Sequence, residues 1–205
     1  MNSFEQGLLR YLTENQLKRI QSKTIGIGGA GGLGSNIALT LVRCGFKNLE
    51  ILDSDVVEAS NLNRQQFSLE DIGKDKVIVL KKRLRAINPD AQITTHKILW
   101  SLENSPSFFN GCDFILEAFD HAECKRDFVE YYQDKTPHLI SGNGMAGLLQ
   151  KKPITIKTIG NIHIVGDNTT DIADGHPPMA PRVTICAAMM AEIVLDLSLM
   201  NFFEG

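Results

Sequence analysis

Apolar residues recur along this chain at two spacings, one typical of short buried strands and the other of amphipathic helices. A short apolar run that ends in a polar or glycine-rich turn predicts a strand, and apolar positions three or four apart predict a helix. The strand pattern occurs at residues 24–27, 49–52, 92–99, 112–117, 137–141, 154–156 and 162–165. The helix pattern occurs within residues 1–20, where Thr13 and Gln16 match a capping box, and at residues 35–42, 77–87, 122–133 and 182–200.

Strands and helices alternate through most of the sequence, which is the order of a parallel sheet covered by helices. We therefore predict an α/β fold of the Rossmann-like, doubly wound type. The last two strand segments have no helix between them, so we expect antiparallel strands late in a mixed sheet. With 205 residues and 43% hydrophobic composition, the chain is long enough for one sizeable core, and we predict a single domain over residues 1–205.

Charge and cysteine content narrow the classes of function. The formal net charge is -3 and there is no long basic run, so we expect no nucleic acid as partner. Apolar runs are too short to span a bilayer and residues 1–10 lack the pattern of a signal peptide, so we expect a soluble, cytoplasmic protein with no membrane partner. The cysteines are widely spaced, without a Cys-x-x-Cys pair, which favours reduced thiols.

The segment after the first predicted strand is rich in glycine. It contains two overlapping Gly-x-Gly-x-x-Gly patterns, one from Gly26 to Gly31 and one from Gly29 to Gly34. In such a loop the backbone approaches a phosphate without Cβ atoms in the way, and the next helix directs free N–H groups at the anion. Asp53 ends the next strand, where an acid accepts the hydroxyls of an adenosine ribose. Loop and acid together predict a nucleotide site, for either NAD or ATP.

The polar loop after Asp53 favours ATP over NAD. Residues 54–66 carry amide, hydroxyl and guanidinium groups where a ribose and a triphosphate would leave the site. Arg64 can neutralise phosphate charge through two hydrogen bonds, and Lys76 can act as a point charge. Asp120, which follows a buried strand, can hold magnesium. These groups suit attack of a carboxylate on the α-phosphate of ATP with release of pyrophosphate, a reaction catalysed by positioning and charge neutralisation.

The order of these groups resembles the ThiF/MoeB/HesA superfamily, the bacterial sulfur-carrier adenylyltransferases related to ubiquitin-activating enzymes. The resemblance spans nearly the whole chain, and its most specific part is Ser-Asn-Leu-Asn-Arg-Gln at residues 60–65. The other matching motifs are Gly-Ala-Gly-Gly-Leu-Gly-Ser at residues 29–35, Asp53-x-Asp55, Gly73-x-x-Lys76, Ile-Asn-Pro at residues 87–89 and Glu-Ala-Phe-Asp at residues 117–120.

The resemblance implies a site and a reaction. Arg64, Lys76 and Asp120 would be the catalytic residues, with Asp120 also the magnesium ligand. The chain is most similar to short ThiF-type proteins of thiamine thiazole synthesis, so the implied cofactors are ATP and Mg2+. The implied partner is a ThiS-like sulfur carrier protein with C-terminal Gly-Gly, and homodimers are usual in the family. The implied nucleotide site comprises Gly29, Gly31, Gly32, Gly34, Asp53, Asp55, Ser60, Asn61, Leu62, Asn63, Arg64, Lys76, Asp120 and His121.

The chain departs from the family pattern at three places. Many relatives carry two Cys-x-x-Cys pairs for zinc, and none is present here, so we expect no structural zinc. Thr13 stands where relatives often carry an arginine that reaches the phosphates across a dimer; either Arg10 takes that role or the role has moved. Cys186 is the cysteine nearest to the loop in which some relatives place a reactive thiol. Its apolar helical context indicates a core residue, so adenylation is better supported than sulfur transfer.

Other functions compete with this one. A related enzyme would activate a small molecule or a modified tRNA base, although the sequence shows no basic face for tRNA. A scaffold that only docks a carrier protein would explain the missing cysteine pairs and Thr13. An NAD oxidoreductase is disfavoured by the loop at residues 60–64. We expect the glycine-rich turn at residues 142–147 to admit a carrier's diglycine tail, but no motif names the carrier or the pathway.

Overall fold

The computed structural model describes residues 1–149, 152–170 and 174–202. Within these residues seven strands form one sheet, which confirms the predicted α/β class. The strands are β1 (Thr24–Gly28), β2 (Asn48–Leu52), β3 (Gln92–His96), β4 (Phe114–Glu117), β5 (His138–Gly142), β6 (Thr155–Ile159) and β7 (Ile162–Gly166). The helices are α1 (Ser3–Leu8), α2 (Glu14–Gln21), α3 (Gly32–Arg43), α4 (Lys76–Ile87), α5 (Ala122–Tyr132) and α6 (Ala180–Leu199). The capping box of Thr13 and Gln16 is present at the start of α2.

The strand order is β3-β2-β1-β4-β5-β7-β6. Strands β1 to β5 are parallel, and β6 pairs antiparallel with β7, as expected. Only β6 runs against the rest of the sheet, since β7 pairs parallel with β5. The reason is the tight turn at Gly160, whose φ of 61° is in the left-handed region. Strand β6 runs opposite to β5, and the hairpin at Gly160 reverses the chain so that β7 is parallel to β5.

Two apolar cores lie on opposite faces of the sheet. The larger one includes side chains of α3, α4 and α6, such as Ile37, Leu80 and Met190. The smaller one includes Phe128 and Tyr132 of α5 together with Trp100. In the described part of the chain, none of the helices combines the length and the apolar character needed to cross a bilayer. Because helices contribute to both cores, they cover the two faces of the sheet and leave the ends of its strands open.

The topology creates a crevice at one edge of the sheet. From β1 the chain moves outward to β2 and β3, and it then returns to place β4 on the other side of β1. The connections after β1 and β4 therefore diverge, and a gap opens at the carboxyl ends of these strands, where open α/β sheets bind ligands. Fold alone thus places a candidate site between the β1–α3 and β4–α5 turns.

Gly34 allows α3 to pack directly on the turn that precedes it. A Cβ atom at this position would lie 1.9 Å from the carbonyl oxygen of Gly29, a backbone atom that has no alternative position. This is the role of the third glycine in a Gly-x-Gly-x-x-Gly loop, close packing of helix on strand. Of the two overlapping patterns, the one from Gly29 to Gly34 is therefore the structural motif.

We predict that Gly34→Ala lowers the free energy of unfolding by about 1–3 kcal/mol, because the new methyl group forces the α3 backbone away from the loop. Gly7→Ala is the matched control, since a Cβ at this exposed helical position meets no atom within 4 Å. We expect the control to be neutral or more stable by about 0.5 kcal/mol. Urea unfolding at pH 7 measures both variants, and equal stabilities would contradict this account of Gly34.

Asp167 connects the two ends of the long loop between β7 and α6. Its carboxylate accepts hydrogen bonds from the N–H groups of Thr169 and Thr170 at 2.9 Å and pairs with Arg182 at 2.5 Å. Burial opposes its ionisation, but the bonds from Thr170 and Thr169 outweigh that effect and lower the pKa to about 2. A loop was predicted at residues 166–181; β7 includes Gly166 and α6 begins at Ala180, and the described residues between them form no helix or strand. Residues 171–173 lie outside the described residues.

We predict that Asp167→Asn destabilises the protein at pH 7 and that this difference shrinks in acid. The folded pKa of about 2 lies below the ordinary value of 3.8, so the carboxylate stabilises the fold above about pH 4. That contribution is lost as the pH falls from 3.8 to 2. Urea unfolding at pH 7, 5 and 3 measures the effect, with the exposed Asp134→Asn as control. A constant difference over this range would contradict the assignment.

Candidate functional site

A cleft of about 590 Å³ opens at the carboxyl ends of β1, β2, β4 and β5. Its volume is in the range of sites that hold a small molecule. The fold brings most of the predicted site residues together here, although they come from separate parts of the chain. The predicted residues that line the cleft are Gly29, Gly31, Gly32, Asp53, Asp55, Arg64, Lys76, Asp120 and His121.

The glycine loop forms one wall of the cleft. Gly29 has a φ of 100°, and a Cβ there would lie 2.7 Å from the carbonyl oxygen of Ala118, so this position requires glycine. Gly31 is the N-cap of α3, and in the described chain no side chain caps this helix. The first N–H groups of α3 are therefore free to donate to a ligand, and the helix dipole favours an anion there.

Asp53 lies at the bottom of the cleft and joins two of its walls. Its Oδ2 accepts a hydrogen bond from the N–H of Ala30 at 2.6 Å, and its Oδ1 accepts one from the N–H of Asp55 at 2.8 Å. Burial nevertheless raises the pKa of Asp53. Each carboxylate oxygen keeps a second lone pair, so the group can accept a ligand hydroxyl without losing its backbone bonds.

The two predicted phosphate-binding cations line the cleft together with the glycine loop. The Nη1 atom of Arg64 donates to the carbonyl of Ser60 at 3.1 Å and to Oδ1 of Asn63 at 2.9 Å. A Cβ at Gly32 would lie 3.5 Å from the aliphatic carbons of Arg64, so the side chain runs alongside the glycine loop. Lys76 begins α4 and its ammonium pairs with Asp55 at 2.7 Å. Arg64 is thus held beside the start of α3, and Lys76 is held by Asp55 in the lining of the same cleft.

Asp120 follows β4 and is exposed at the other wall of the cleft. The Nε2 atom of the neighbouring His121 lies 3.8 Å from its Oδ1. In the described residues no three His, Cys, Asp or Glu side chains form a metal-binding group. Mg2+ at a nucleotide site needs only one or two carboxylates because phosphates and waters complete its shell, so Asp120 fits such an ion. The absence of structural zinc stays a prediction.

Five predicted site residues support the cleft without lining it. Gly34 packs under the loop, and Asn61 is buried, where its Oδ1 accepts a hydrogen bond from the N–H of Glu58 at 3.1 Å. Asn63 donates to the carbonyl of Pro178 at 2.9 Å. Leu62 packs on the larger core, and the hydroxyl of Ser60 donates to Glu58 at 3.3 Å. In this conformation the motif at residues 60–63 therefore shapes the turn that carries Arg64, and direct ligand contacts by these residues stay a prediction.

Arg10 lies far from the cleft of its own chain. It follows α1, which packs at the amino-terminal side of the sheet, where Glu5 pairs with Lys47 at 2.6 Å and Leu8 adjoins Gly45. The cleft opens at the opposite ends of the strands. Arg10 therefore contributes to a cleft only if a second copy of the chain brings it there.

One wall of the cleft is apolar and was not predicted from the sequence. The strand predicted to reach residue 99 ends at His96, whose carbonyl accepts from the N–H of Asp53 at 3.1 Å. The following residues turn into the cleft and form an apolar surface with residues from β2 and α5. The sequence signal for this wall was the apolar triplet at residues 98–100, which begins two positions after the end of β3. The residues of this wall are Leu52, Ile98, Leu99, Trp100, Phe119 and Val129.

Burial opposes the ionisation of three cysteine thiols. Cys186 is fully buried and its thiol donates to the carbonyl of Val165, which confirms its interpretation as a core residue. Burial raises the pKa of Cys186 to about 12, and the same holds for Cys112. Cys124 lines the cleft, and burial raises the pKa of its thiol to about 11. These thiols are therefore protonated at neutral pH.

Comparison with known proteins agrees with this geometry. Among curated proteins, tRNA threonylcarbamoyladenosine dehydratase 2 of Saccharomyces cerevisiae is 32% identical over 140 residues, which are 66% of this chain and 31% of the relative. SUMO-activating enzyme subunit 2 of Dictyostelium discoideum is 34% identical over 177 residues, which are 85% of this chain and 25% of the relative. This chain thus spans about a quarter to a third of the length of these two relatives.

A solved structure shares the fold over nearly its whole length. The crystal structure of Escherichia coli tRNA N6-threonylcarbamoyladenosine dehydratase, TcdA, in complex with AMP superposes with a TM-score of 0.83 at 23% identity. The match covers 96% of this chain and 94% of that one. The model of the ThiF family matches residues 5–200. Because this match includes nearly every residue of the fold and of the cleft, the chain belongs to the ThiF family.

Proposed function

We propose that this chain uses ATP to adenylate a carboxylate. The observation that carries the proposal is that complementary groups for every part of a nucleotide line one cleft. Asp53 provides acceptors for ribose hydroxyls, the uncapped start of α3 provides N–H donors for phosphates, and Arg64 and Lys76 provide positive charge. The family of the chain and the AMP complex of the protein with the related fold support a nucleotide site here.

The geometry suits a reaction that needs no protein nucleophile. An oxygen of the acceptor carboxylate attacks the α-phosphorus, an O–P bond forms, and the bond to the bridging oxygen breaks so that pyrophosphate leaves. The N–H groups of α3, with Arg64 and Lys76, hold the phosphates and neutralise the charge that moves to the leaving group. Mg2+ held by Asp120 would supply further charge neutralisation on the phosphates.

The acceptor in this proposal is the C-terminal glycine carboxylate of a ThiS-like carrier protein, in a route such as thiamine thiazole synthesis. Beyond Asp120 the cleft continues along the turn after β5, where Gly142 and Gly144 lie among its lining residues. A Cβ at Gly144 would lie 2.3 Å from Asp167, so this turn requires glycine and presents backbone to the cleft at Gly142 and Gly144. A lining of exposed backbone suits an extended diglycine tail, which can pair with it through its own peptide groups. A homodimer that supplies Arg10 in trans belongs to the same proposal.

A second candidate acceptor is a carboxylate on a modified tRNA base. It is favoured by the likeness to two tRNA threonylcarbamoyladenosine dehydratases. The structure also shows exposed cations on α4, Lys82 and Arg85, on the helix that begins with Lys76. Such cations suit contacts with a phosphate backbone. The glycine-lined turn after β5 is the observation that ranks the protein tail above the tRNA base.

Exchange of labelled pyrophosphate into ATP tests the reaction and separates the two acceptors. We expect exchange that depends on a ThiS-like protein ending in Gly-Gly and falls by about 100-fold or more in Arg64→Ala and Asp120→Ala, because each removes charge complementarity at the phosphates. Arg43→Ala and Asp134→Ala are matched controls that remove one exposed charge of the same sign outside the cleft.

Each acceptor gives a distinct outcome. Exchange with tRNA carrying N6-threonylcarbamoyladenosine, and none with the carrier protein, would replace the first candidate by the second. ATP binding without exchange in the presence of either acceptor would contradict adenylation of both. Equal losses in the matched controls would show that Arg64 and Asp120 act through stability and have no place at the phosphates.

We further predict that ATP changes the fluorescence of the protein. Trp100 is the single tryptophan of the chain, is 4% exposed and lines the apolar wall of the cleft. An adenine ring against this wall alters the surroundings of the indole. Trp100→Phe should abolish the signal and keep binding that calorimetry detects. Saturation by ATP in calorimetry without any change in emission would place the base elsewhere.

A further inference from the structure

A buried ion pair lies under the wall of the cleft that carries Asp120. Glu117 is the last residue of β4 and is 0% exposed. Its Oε2 accepts from the ammonium of Lys125 at 2.6 Å and from the hydroxyl of Ser141 at 2.6 Å, and its Oε1 accepts from the N–H of Phe119 at 2.8 Å. The carboxylate thus fixes the turn that precedes Asp120 and the end of β5 at the same time.

Lys125 is held in place by this pair, but its ammonium keeps one N–H donor without a partner in these bonds. The ammonium donates to Glu117 and to the carbonyl of Gly142, the latter at 2.7 Å. A lysine ammonium has three N–H donors, so one is left over. The side chain is 22% exposed and lines the cleft, next to Ser141 and Gly142. The remaining donor is therefore available to a group that enters from the side of β5.

The other cations of the cleft lining have different positions or partners. In the described chain these are Arg64, Lys76 and Arg126. The first two come from the loop and helix after β2, beside the glycine loop. Arg126 donates to Asp127 at 2.9 Å, and its side chain is 63% exposed. Lys125 is the cation on the β4–β5 side that buried bonds hold in a fixed direction, which is the condition for effective electrostatic positioning.

We propose that Lys125 binds and positions the carboxylate of the acceptor. This assignment rests on the proposed function, in which the nucleotide phosphates lie along the glycine loop, Arg64 and Lys76. The acceptor then approaches the α-phosphorus from the opposite side, past Gly142, where the free N–H of Lys125 donates to one carboxylate oxygen. The other oxygen is left to attack. Because Glu117 balances the charge of Lys125, the acceptor is held by a directed hydrogen bond more than by net charge.

The test must separate binding by Lys125 from its structural pairing with Glu117. Lys125→Met alone leaves a buried unpaired carboxylate and unfolds or loosens the site. The informative variant is Glu117→Gln with Lys125→Met, which removes both charges and keeps the side-chain sizes. Glu117→Gln alone is the matched control, since it removes the same acid and keeps the cation. Glu117→Leu with Lys125→Met is the alternative pair if the first does not fold.

The measurement is calorimetric binding, without ATP, of a ThiS-like carrier ending in Gly-Gly and of the same carrier with a C-terminal amide. We expect the wild type and Glu117→Gln to bind the free acid about tenfold or more tightly than the amide, because a hydrogen bond to a charged group is lost in the amide. The double variant should bind both forms equally and bind ATP like the wild type. A purely structural lysine would not produce this loss of discrimination.

Two results would overturn the assignment: no preference for the free acid in the wild type, or a preference that persists in the folded double variant. Pyrophosphate exchange by the wild type is measured in parallel. Absence of exchange with an intact preference for the free acid would refute adenylation and keep Lys125 as the carboxylate-binding residue. If the wild type exchanges pyrophosphate and the double variant still prefers the free acid over the amide, the role of Lys125 is refuted and adenylation is kept.

Discussion

The cleft depends on one carboxylate, that of Asp53. It accepts hydrogen bonds from the N–H of Ala30 in the glycine loop and from the N–H of Asp55 in the loop after β2. Asp55 in turn pairs with Lys76. The turn after β1, the end of β2 and the start of α4 are therefore linked through one buried acid. Each of these segments is irregular by itself, and together they form a wall with a defined shape.

The opposite wall is built on the same physical pattern. Glu117 is buried at the end of β4, and its oxygens fix the backbone of Phe119 and the side chains of Lys125 and Ser141. The two acids end strands that lie on either side of β1. Buried carboxylates that accept several hydrogen bonds make rigid junctions, since leaving any donor unpaired in the interior is costly. The cleft thus lies between two such junctions.

Much of the fold followed from the sequence because its signals are local. The alternation of apolar strands and helices gave the α/β class, and Thr13 with Gln16 marked a helix start through bonds within four residues. The antiparallel β6–β7 pair agrees with the sequence expectation, whereas the pairing of β7 with β5 was not predicted, because no local pattern encodes a contact between separate strands. The end of β3 was missed for a similar reason, since the apolar residues Ile98 and Leu99 suit a strand as well as the wall of a cleft.

The sequence motifs predicted which residues form the candidate site better than they predicted the contacts of those residues. The positions of Gly29, Asp53, Arg64 and Lys76 in one cleft agree with the sequence expectation. The motif at residues 60–63 was expected to contact a ligand, but in this structure its polar groups are bonded within the loop and to Pro178. The pairing of Glu117 with Lys125 was not predicted, because the seven positions between them show no pattern until a strand and a helix are folded against each other.

The contact between α3 and α6 sets the order in which the site can come into existence during synthesis. Gly32, at the start of α3, adjoins Val183, at the start of α6, and the two helices share the larger core. The two residues are 151 positions apart in sequence. A ribosome that has made only the first strands has already produced the glycine loop, yet the helix behind it lacks its packing partner. The nascent protein therefore acquires a rigid wall at the glycine loop only when α6 has emerged.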